Sequence, residues 1–324
     1  MARVVKMHAV GDAAVLRVDD QHVGDPGPGE IRLRQAAAGV NYVDIYHRTG
    51  LYPVAHLPAV LGVEGAGVVE ALGDGVTHLR PGDRVAWAGL PMGGYAETRL
   101  LAANRAVPLP SHISDTVAAA SMLRGITAHM LLTRVARISP GDIILIHAAA
   151  GGLGLILSQW ARKLGASVIG TVGSPEKAAL AKSFGLNHAV LYKEGDFVRE
   201  VLNITGGRGV DVAFDGIGGD VLLRTLDCVR PFGLVVSAGQ ASGSLPAIDI
   251  SELGPRRSLA LARPSVLAYM ADLDSYRKAA AELFEELETG LHVEIGAQFD
   301  LADVAKAHSA LEAGRTTGSV LLTF

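Results

Sequence analysis

The fold of this chain is decided by the stretch His147-Ala148-Ala149-Ala150-Gly151-Gly152-Leu153-Gly154. It joins an apolar run, Ile143 to Ile146, to a helical pattern that begins at Leu153. A strand that turns through glycines into a helix presents backbone N–H groups and the positive end of a helix dipole to a pyrophosphate. The usual fingerprint is G-x-G-x-x-G, whereas this segment reads A-x-x-G-x-x-G, so alone it indicates a dinucleotide site only weakly.

The residues that follow fit a βαβ unit. Apolar residues recur at helical spacing up to Gly165, which predicts a helix packed on a sheet: Leu153, Ile156, Leu157, Trp160, Ala161 and Leu164. A second strand is predicted from Ser167 to Val172, and Ser174 and Pro175 suit the N-cap and first position of a helix that ends near Phe184. A tight turn without a ligand is the alternative, but the complete βαβ unit favours a pyrophosphate site.

Strands and helices keep alternating after this unit, which indicates a parallel sheet. Further strands are predicted at Ala189–Leu191, Val210–Phe214, Leu234–Ser237 and Leu259–Leu261. The helices between them are predicted near Phe197–Ile204 and Asp220–Val229. The fold class is therefore α/β, with a doubly wound Rossmann sheet of about six parallel strands.

The regions on either side of this sheet have different sequence patterns. The first ~120 residues show short alternating runs broken by glycine and proline, which favours a β-rich domain, and an alanine-rich helix is predicted from Ser114 to Leu132. A helix at Asp272–Glu288, the segment Leu301–Glu312 and a strand at Val320–Phe324 no longer follow the βαβ rhythm. We expect this tail to rejoin the N-terminal domain, which gives domains of residues 1–123 with 267–324, and 124–266.

Composition excludes several classes of protein. The chain has 324 residues, 39 of them glycine, and a formal charge of −4 spread without long runs, which argues against nucleic acid as the main partner. A single cysteine, Cys228, cannot form an internal disulfide or a cysteine zinc cluster, and it predicts a reducing, cytoplasmic setting. The most apolar window, Ile143 to Leu157, is too short to cross a bilayer that requires ~20 residues, so no membrane association is expected.

The second predicted strand indicates which dinucleotide binds. An acidic residue ~20 positions after the loop holds the ribose of NAD, whereas a basic neighbour accommodates the 2′-phosphate of NADP. Ser174 occupies that position, no carboxylate ends the strand, and Lys177 follows one turn later. Tyr192, just after the third strand, could add its hydroxyl. These residues predict NADPH, and a solvent-exposed helix lysine is the simpler alternative for Lys177.

Several longer motifs carry a family resemblance. They are Gly39 to Pro53 (GVNYVDIYHRTGLYP), Gly62 to Val69 (GVEGAGVV), Pro81 to Val85 (PGDRV), the Ala148 to Gly154 loop and Ala262 to Ser265 (ARPS). With these motifs the chain resembles the medium-chain dehydrogenase/reductase superfamily over nearly its full length. Within that superfamily it resembles the zinc-independent NADPH:quinone oxidoreductases related to zeta-crystallin.

The resemblance implies a GroES-like catalytic domain beside the Rossmann domain, with substrate in the cleft between them. Asn41, Tyr46 and Tyr52 would line the substrate slot. The cofactor-binding set that it implies, together with the residues predicted above, is Asn41, Thr127, Gly151, Gly152, Leu153, Gly154, Ser174, Lys177, Tyr192, Ala238, Gly239, Gln240, Arg263 and Arg315. The family also implies a homodimer, and we expect pairing of Rossmann sheets along the segment from Leu234 to Leu261. Asp215 is interpreted as a turn residue, and Cys228 as a core residue on a helix.

The resemblance also bears on metal. Zinc alcohol dehydrogenases carry a histidine where this chain has Val63, a cysteine near Asn41, and a lobe with four cysteines. Val63 cannot bind a metal and Asn41 is a poor zinc ligand, so no metal site is predicted. Quinones are strong electrophiles, and their reduction by hydride chiefly needs proximity and orientation.

Three alternatives to a quinone reductase remain open. An NADPH-dependent reductase of an enone or alkenal double bond would use the same cofactor geometry. A cofactor-bound protein with an RNA-binding or crystallin-like structural role belongs to another class, and the mild negative charge counts against RNA. A zinc alcohol dehydrogenase is disfavoured by Val63.

Overall fold

The computed structural model describes residues 1–324, which form two compact units. Unit 1 comprises Met1–Ile126 and Leu267–Phe324, and unit 2 comprises Thr127–Val266. Unit 1 therefore contains both ends of the sequence, and unit 2 is inserted between its two segments.

Unit 2 contains a six-stranded sheet in which every neighbouring pair of strands is parallel. Its strands are β9 (Ile143–Ile146), β10 (Ser167–Val172), β11 (His188–Leu191), β12 (Val210–Asp215), β13 (Val229–Ser237) and β14 (Ala260–Ala262), in the order β11-β10-β9-β12-β13-β14. The connecting helices are α3 (Gly152–Lys163), α4 (Pro175–Ser183), α5 (Phe197–Ile204) and α6 (Gly219–Thr225). The predicted Rossmann sheet of six parallel strands is confirmed.

One predicted helix boundary in unit 2 is wrong. The helix expected to run to Val229 ends at Thr225, continues as a 3-10 turn over Leu226–Cys228, and gives way to β13 at Val229. Cys228 is fully buried at the end of that turn, so it is a core residue as predicted but does not lie midway along a helix. Its burial raises the pKa of the thiol to about 12, which leaves it inert.

Unit 1 is built on two sheets. The larger has the order β15-β16-β3-β5-β6-β8 with β7 also paired to β3, and the smaller has the order β2-β1-β4. The strands are β1 (Ala2–Met7), β2 (Leu16–Gln21), β3 (Glu30–Val40), β4 (Ala59–Val60), β5 (Glu64–Leu72), β6 (Arg84–Ala88), β7 (Thr98–Ala102), β8 (Val107–Pro108), β15 (Ile295–Asp300) and β16 (Ser319–Thr323). The other helices of the chain are α1 (Tyr42–Arg48), α2 (Asp115–His129), α7 (Val266–Ala271), α8 (Leu273–Glu288) and α9 (Val304–Glu312).

The C-terminal strand of the chain belongs to the larger sheet of unit 1. β16 runs antiparallel to β3, with Val320 opposite Val40, and parallel to β15. The sequence analysis missed β15 because it is an edge strand, in which intermediate and exposed residues alternate and none is fully buried. The α2 helix also ends earlier than predicted, at His129, and continues as a π-helical turn from Met130 to Val135. No helix of the structure has both the length and the apolar character needed to cross a membrane.

Candidate functional site

The glycine loop of unit 2 lies at the carboxyl end of β9. Gly151 is the N-cap of α3 with an extended backbone (φ −80°, ψ 166°), and the first turn of α3 carries no acidic residue. Ala148 adopts a left-handed conformation with φ 52°, a region that usually holds glycine. The backbone N–H of Ala149 donates to the Thr171 carbonyl oxygen at 3.1 Å, which attaches the loop to β10. This arrangement leaves the N-terminus of α3 suited to an anion.

Gly154 allows the helix to lie close against the loop. A Cβ atom at this position would lie 2.6 Å from the Ala148 carbonyl oxygen and 2.7 Å from the Ala149 Cα. Such contacts with backbone atoms cannot be relieved by rotating a side chain. Glycine is therefore needed here for helix–strand packing, the role of the third glycine in the dinucleotide fingerprint.

His147 links three elements of unit 2 beneath the loop. Its ring nitrogens lie 2.9 Å from Thr171 Oγ1 and 2.8 Å from Thr225 Oγ1, and its backbone N–H donates to the Phe214 carbonyl oxygen at 3.1 Å. Burial lowers the pKa of His147 to about 4. The ring is therefore neutral near pH 7 and connects β10 to α6, and the His147 backbone adds a bond to β12.

The corner after β10 brings together the residues predicted to select NADPH. Ser174 caps α4 as predicted, with its hydroxyl oxygen accepting the Lys177 N–H at 3.3 Å. A Cβ atom on Gly173 would lie 3.2 Å from the Tyr192 hydroxyl and 3.5 Å from Lys193 Cε, so both side chains reach the same backbone. Burial and the charge of Lys193 both lower the pKa of Lys177. The corner is thus basic, and Lys193 is a contributor that the sequence analysis missed.

A carboxylate also reaches this corner. The Ser174 hydroxyl donates to the exposed Glu176 side chain, and that hydrogen bond lowers the pKa of the Glu176 carboxyl. The sequence analysis searched for an acidic residue at the end of β10, and Glu176 lies just beyond that position, in the first turn of α4. The corner therefore combines two ammonium groups with one negative charge.

The turn after β13 joins four other predicted residues. The backbone N–H groups of Ala238 and Gly239 donate to the Asp215 carbonyl oxygen at 2.7 and 3.2 Å. Arg263 donates to Ser237 Oγ at 2.9 Å and to Gln240 Oε1 at 2.7 Å. The Asp215 carboxylate accepts the N–H groups of the next turn, Ile217 at 2.7 Å and Gly218 at 3.2 Å. These bonds agree with the interpretation of Asp215 as a turn residue.

In unit 1, Asn41 lies in a buried polar cluster between β3 and α1. Its side-chain Nδ2 donates to Glu64 Oε1 at 2.7 Å, and its backbone N–H donates to Asp44 Oδ2 at 2.8 Å. Glu64 also accepts from Arg124 Nη1 at 2.8 Å and from the Leu123 N–H at 2.7 Å. Burial raises the pKa of the Glu64 carboxyl, and the Arg124 charge opposes that rise. Asn41 is therefore held through both its backbone and its side chain.

Asp44 connects this cluster to the other end of α1. Its Oδ2 accepts from the Tyr95 hydroxyl at 3.0 Å, and its Oδ1 is buried without a hydrogen-bond partner. Burial raises the pKa of Asp44 to about 7. The Tyr95 hydroxyl also lies 3.0 Å from His308 Nε2, and the other nitrogen of His308 lies 3.3 Å from Arg48 Nη1. A continuous chain of polar contacts thus fixes α1 from its first turn to its last.

The predicted substrate-slot residues are neighbours in unit 1. The rings of Tyr46 and Tyr52 meet edge to face, with centroids 5.2 Å apart, and the Tyr52 N–H donates to the Tyr46 carbonyl oxygen at 2.9 Å. His47 lies against Tyr52 at 5.7 Å between centroids. Asn41 immediately precedes helix α1. α1 and the segment after it therefore gather Asn41, Tyr46 and Tyr52.

Thr127 and Arg315 are two further residues predicted to contact the cofactor. Thr127 lies in the last turn of α2, and Arg315 lies in the exposed segment between α9 and β16. The Arg315 N–H donates to the Ala310 carbonyl oxygen at 3.2 Å. Their predicted roles toward the cofactor remain predictions.

No group of three or more His, Cys, Asp or Glu side chains is placed to hold a metal ion. Val63 is fully buried, and the neighbouring Glu64 uses both carboxylate oxygens to accept N–H groups. The donors around Glu64 suit a carboxylate that holds Asn41 and Arg124.

Comparisons with known proteins place the chain among dehydrogenases. Residues 27–111 match the family model "Alcohol dehydrogenase GroES-like domain", and residues 152–285 match the model "Zinc-binding dehydrogenase". A quinone oxidoreductase of Pseudomonas aeruginosa is 44% identical over 323 residues, covering 99% of each chain. The chain belongs to the quinone oxidoreductase family.

Other members of this group support the assignment. The structure of Escherichia coli quinone oxidoreductase complexed with NADPH matches with a TM-score of 0.97 at 39% identity, covering 100% of both chains. A 2-haloacrylate reductase of Burkholderia is 41% identical over 329 residues, covering 99% of each chain. The resemblance to the quinone oxidoreductase family, and the fold of a Rossmann sheet with a GroES-like domain, are therefore confirmed.

Proposed function

We propose that this protein transfers a hydride from NADPH to a quinone. The observation that carries the proposal is the combination, in a chain of the quinone oxidoreductase family, of a glycine loop at a helix N-terminus with the basic corner at Lys177 and Lys193. The first feature suits a pyrophosphate and the second suits a 2′-phosphate. Together they favour NADPH over NADH.

The residues of unit 2 fit this cofactor. The N–H groups at the start of α3, from Gly151 to Gly154, would hold the pyrophosphate, and Ser174, Lys177 and Tyr192 would hold the 2′-phosphate with help from Lys193. The turn at Ala238, Gly239 and Gln240, together with Arg263, is proposed to contact the nicotinamide end, with Thr127 and Arg315 as further contacts. When bound, NADPH supplies the hydride from C4 of its nicotinamide ring.

The residues of unit 1 are proposed to receive the quinone. Tyr46 and Tyr52 offer two aromatic rings, which suit a flat, apolar substrate. Asn41 is a rigidly held amide beside them. Reduction of a quinone takes a hydride and a proton and gives a hydroquinone, and the chain contributes mainly proximity and orientation to this step. We propose that no zinc takes part, because Val63 offers no ligand and Glu64 is committed to other N–H groups.

Steady-state kinetics test this proposal directly. Benzoquinones and naphthoquinones should be reduced with NADPH, and kcat/KM should be at least about tenfold lower with NADH, the effect of losing ~1.4 kcal/mol of phosphate contacts. Activity should persist after dialysis against a chelator. No reduction of any quinone, or equal use of both cofactors, would contradict the proposal.

Reduction of an activated C=C bond is the second candidate, because the 2-haloacrylate reductase is 41% identical, close to the 44% of the Pseudomonas aeruginosa quinone oxidoreductase. Turnover on 2-haloacrylates and alkenals should be compared with turnover on quinones under the same NADPH concentration. A kcat/KM for an alkene above that for every quinone would make the double-bond reductase the main activity.

We also propose a cytoplasmic homodimer that pairs two Rossmann sheets at their β14 edges. β14 is the terminal strand of its sheet, and Phe232 and Ile250 nearby are 85% and 78% exposed. A shallow pocket of about 460 Å³ lies beside them, lined by Phe232, Leu253 and Ser258 among others. Sedimentation should give a dimer for the wild type and a monomer for Phe232→Glu.

A further inference from the structure

The carboxylate of Glu64 has no role in the proposed reaction, yet the fold surrounds it with donors. It is 0% exposed, and its three hydrogen bonds come from Asn41 Nδ2, Arg124 Nη1 and the Leu123 N–H. A buried ion pair is weak evidence for stability, because desolvation offsets the attraction and an apolar pair would serve as well. The Glu64–Arg124 pair therefore calls for another explanation.

The chain makes room for this carboxylate at Gly39. A Cβ atom on Gly39 would overlap Glu64 Oε1 and lie 2.6 Å from the Ala119 carbonyl oxygen. Gly39 lies on β3, opposite Leu321 of β16, so its backbone is ordinary strand and needs no left-handed conformation. Glycine is therefore needed at position 39 because any side chain there would occupy the space of Glu64 Oε1, the oxygen that accepts the hydrogen bond from Asn41.

The geometry also determines which way the Asn41 amide points. An asparagine side chain can present either its oxygen or its NH₂ group to a neighbour, and the two are nearly equal in shape. A carboxylate accepts hydrogen bonds and does not donate them, so Glu64 selects the NH₂ group of Asn41. The Asn41 Oδ1 then faces the start of α1, where the Asn41 and Asp44 side chains form a capping box. Arg124 strengthens the arrangement, since its Nη2 donates to the Val40 carbonyl oxygen at 2.8 Å, one residue before Asn41.

We propose that Glu64 is a positioning residue that sets the orientation of the Asn41 carboxamide toward the bound ligands. This inference rests on the proposed function, in which Asn41 lines the slot for nicotinamide and quinone. Glu64 itself touches neither ligand and transfers no proton. It acts by excluding the flipped amide, so that Oδ1 always faces the start of α1, where one lone pair meets the Asp44 N–H in the capping box and the other is left for the ligand in the slot.

Glu64→Gln tests this proposal, because glutamine keeps the shape but can present either end of its own amide to Asn41. The kcat/KM for quinone should fall on the order of 10-fold to 100-fold, because displacing a positioning group by about 1 Å can reduce the rate by that much. Binding of adenosine 2′,5′-bisphosphate, which lacks nicotinamide, should stay within about twofold of wild type. The matched control is Glu97→Gln, also in unit 1. The Glu97 carboxylate accepts the backbone N–H of Arg3 at 2.8 Å and Arg3 Nε at 2.7 Å. That control should keep wild-type kinetics.

A second variant keeps the test decisive if Glu64→Gln does not fold. Asn41→Asp alone places two carboxylates together and should lose activity. Asn41→Asp with Glu64→Gln restores a donor–acceptor pair between positions 41 and 64, and it moves the negative charge that Arg124 pairs with from position 64 to position 41. Recovery of kcat/KM in the double variant relative to Asn41→Asp supports the proposal. Wild-type kinetics in Glu64→Gln, or no recovery in the double variant, would overturn it. A wild-type enzyme that reduces no quinone would instead refute the proposed function.

Discussion

The Nε2 atom of His147 lies 2.8 Å from the hydroxyl oxygen of Thr225, and this contact fixes the state of the ring. Thr225 donates its only hydroxyl proton to the Val221 carbonyl oxygen at 2.6 Å, so it accepts from His147. Nε2 therefore carries the proton, and Nδ1 accepts from the Thr171 hydroxyl at 2.9 Å. Both nitrogens of the neutral imidazole are thus used, in joining β10 to α6 at the glycine loop.

Acidification should destabilise the protein through this ring. Burial lowers the pKa of His147 to about 4, whereas the unfolded chain binds a proton near pH 6.5. Between these values the unfolded state holds more protons, so the free energy of unfolding falls as the pH falls, by roughly 1–2 kcal/mol at pH 5. Urea unfolding at pH 7 and pH 5 measures the change.

His308 adds to the same effect, since burial and the Arg48 charge lower its pKa to about 3. His147→Gln should be less stable than the wild type at pH 7 and should lose part of the difference between pH 7 and pH 5. An unchanged difference in that variant would show that His147 does not titrate on unfolding.

Lys193→Ala should weaken NADPH binding by roughly 2-fold to 5-fold, because one exposed ammonium near a phosphate contributes up to about 1 kcal/mol. Lys177→Glu should lose far more affinity for NADPH than for NADH. Lys182→Ala, in the last turn of the same helix, is the control and should bind as wild type. Fluorescence titration with both cofactors measures the ratio, and equal losses for NADPH and NADH would contradict the assignment of this corner.

Glu176→Gln should have the opposite effect. The Glu176 carboxylate accepts the hydrogen bond of the Ser174 hydroxyl and would repel a 2′-phosphate that needs the same donor. Removing its charge should tighten NADPH binding by roughly 2-fold to 5-fold, the usual size of the interaction between two exposed charges. NADH binding should stay nearly unchanged. Weaker NADPH binding in this variant would show that Glu176 supports the site.

Gly154→Ala should both destabilise the protein and impair cofactor binding. The added methyl group meets the Ala148 carbonyl oxygen at 2.6 Å, and such overpacking typically costs about 1–3 kcal/mol. Gly195→Ala is a matched control in the same unit, because a Cβ atom there has no neighbour within 4 Å. Thermal unfolding with and without NADPH should separate the two variants, and similar behaviour of both would refute the packing argument.

Much of unit 2 could be predicted from sequence because its strands are continuous apolar runs. The bounds of β9, β10 and α5 agree with the predicted ones, and Ser174 and Pro175 mark the start of α4. These features are encoded locally, by hydrophobicity and by capping residues next to each other in the chain.

The polar contacts of the site could not be predicted in this way. Glu64 reaches Asn41 and Arg124 only after β5 and α2 have assembled around β3, and nothing near any of the three residues signals the others. Lys193 and Glu176 were missed for a related reason, since their relevance depends on where β11 ends and where α4 begins in space. The edge strand β15 has no fully buried residue, so its sequence shows no apolar pattern.

The pairing of β3 with β16 has a consequence for synthesis. Val40 finds its partner Val320 only after every residue of unit 2 has been translated. Unit 2 has its own core and a largely sequential order of strands, so it can fold on the ribosome. At that stage the larger sheet of unit 1 still lacks β16 beside β3. During this interval the nascent chain exposes the edge of β3 at Ala37–Val40, whose backbone groups there are still unpaired, to chaperones and to other chains.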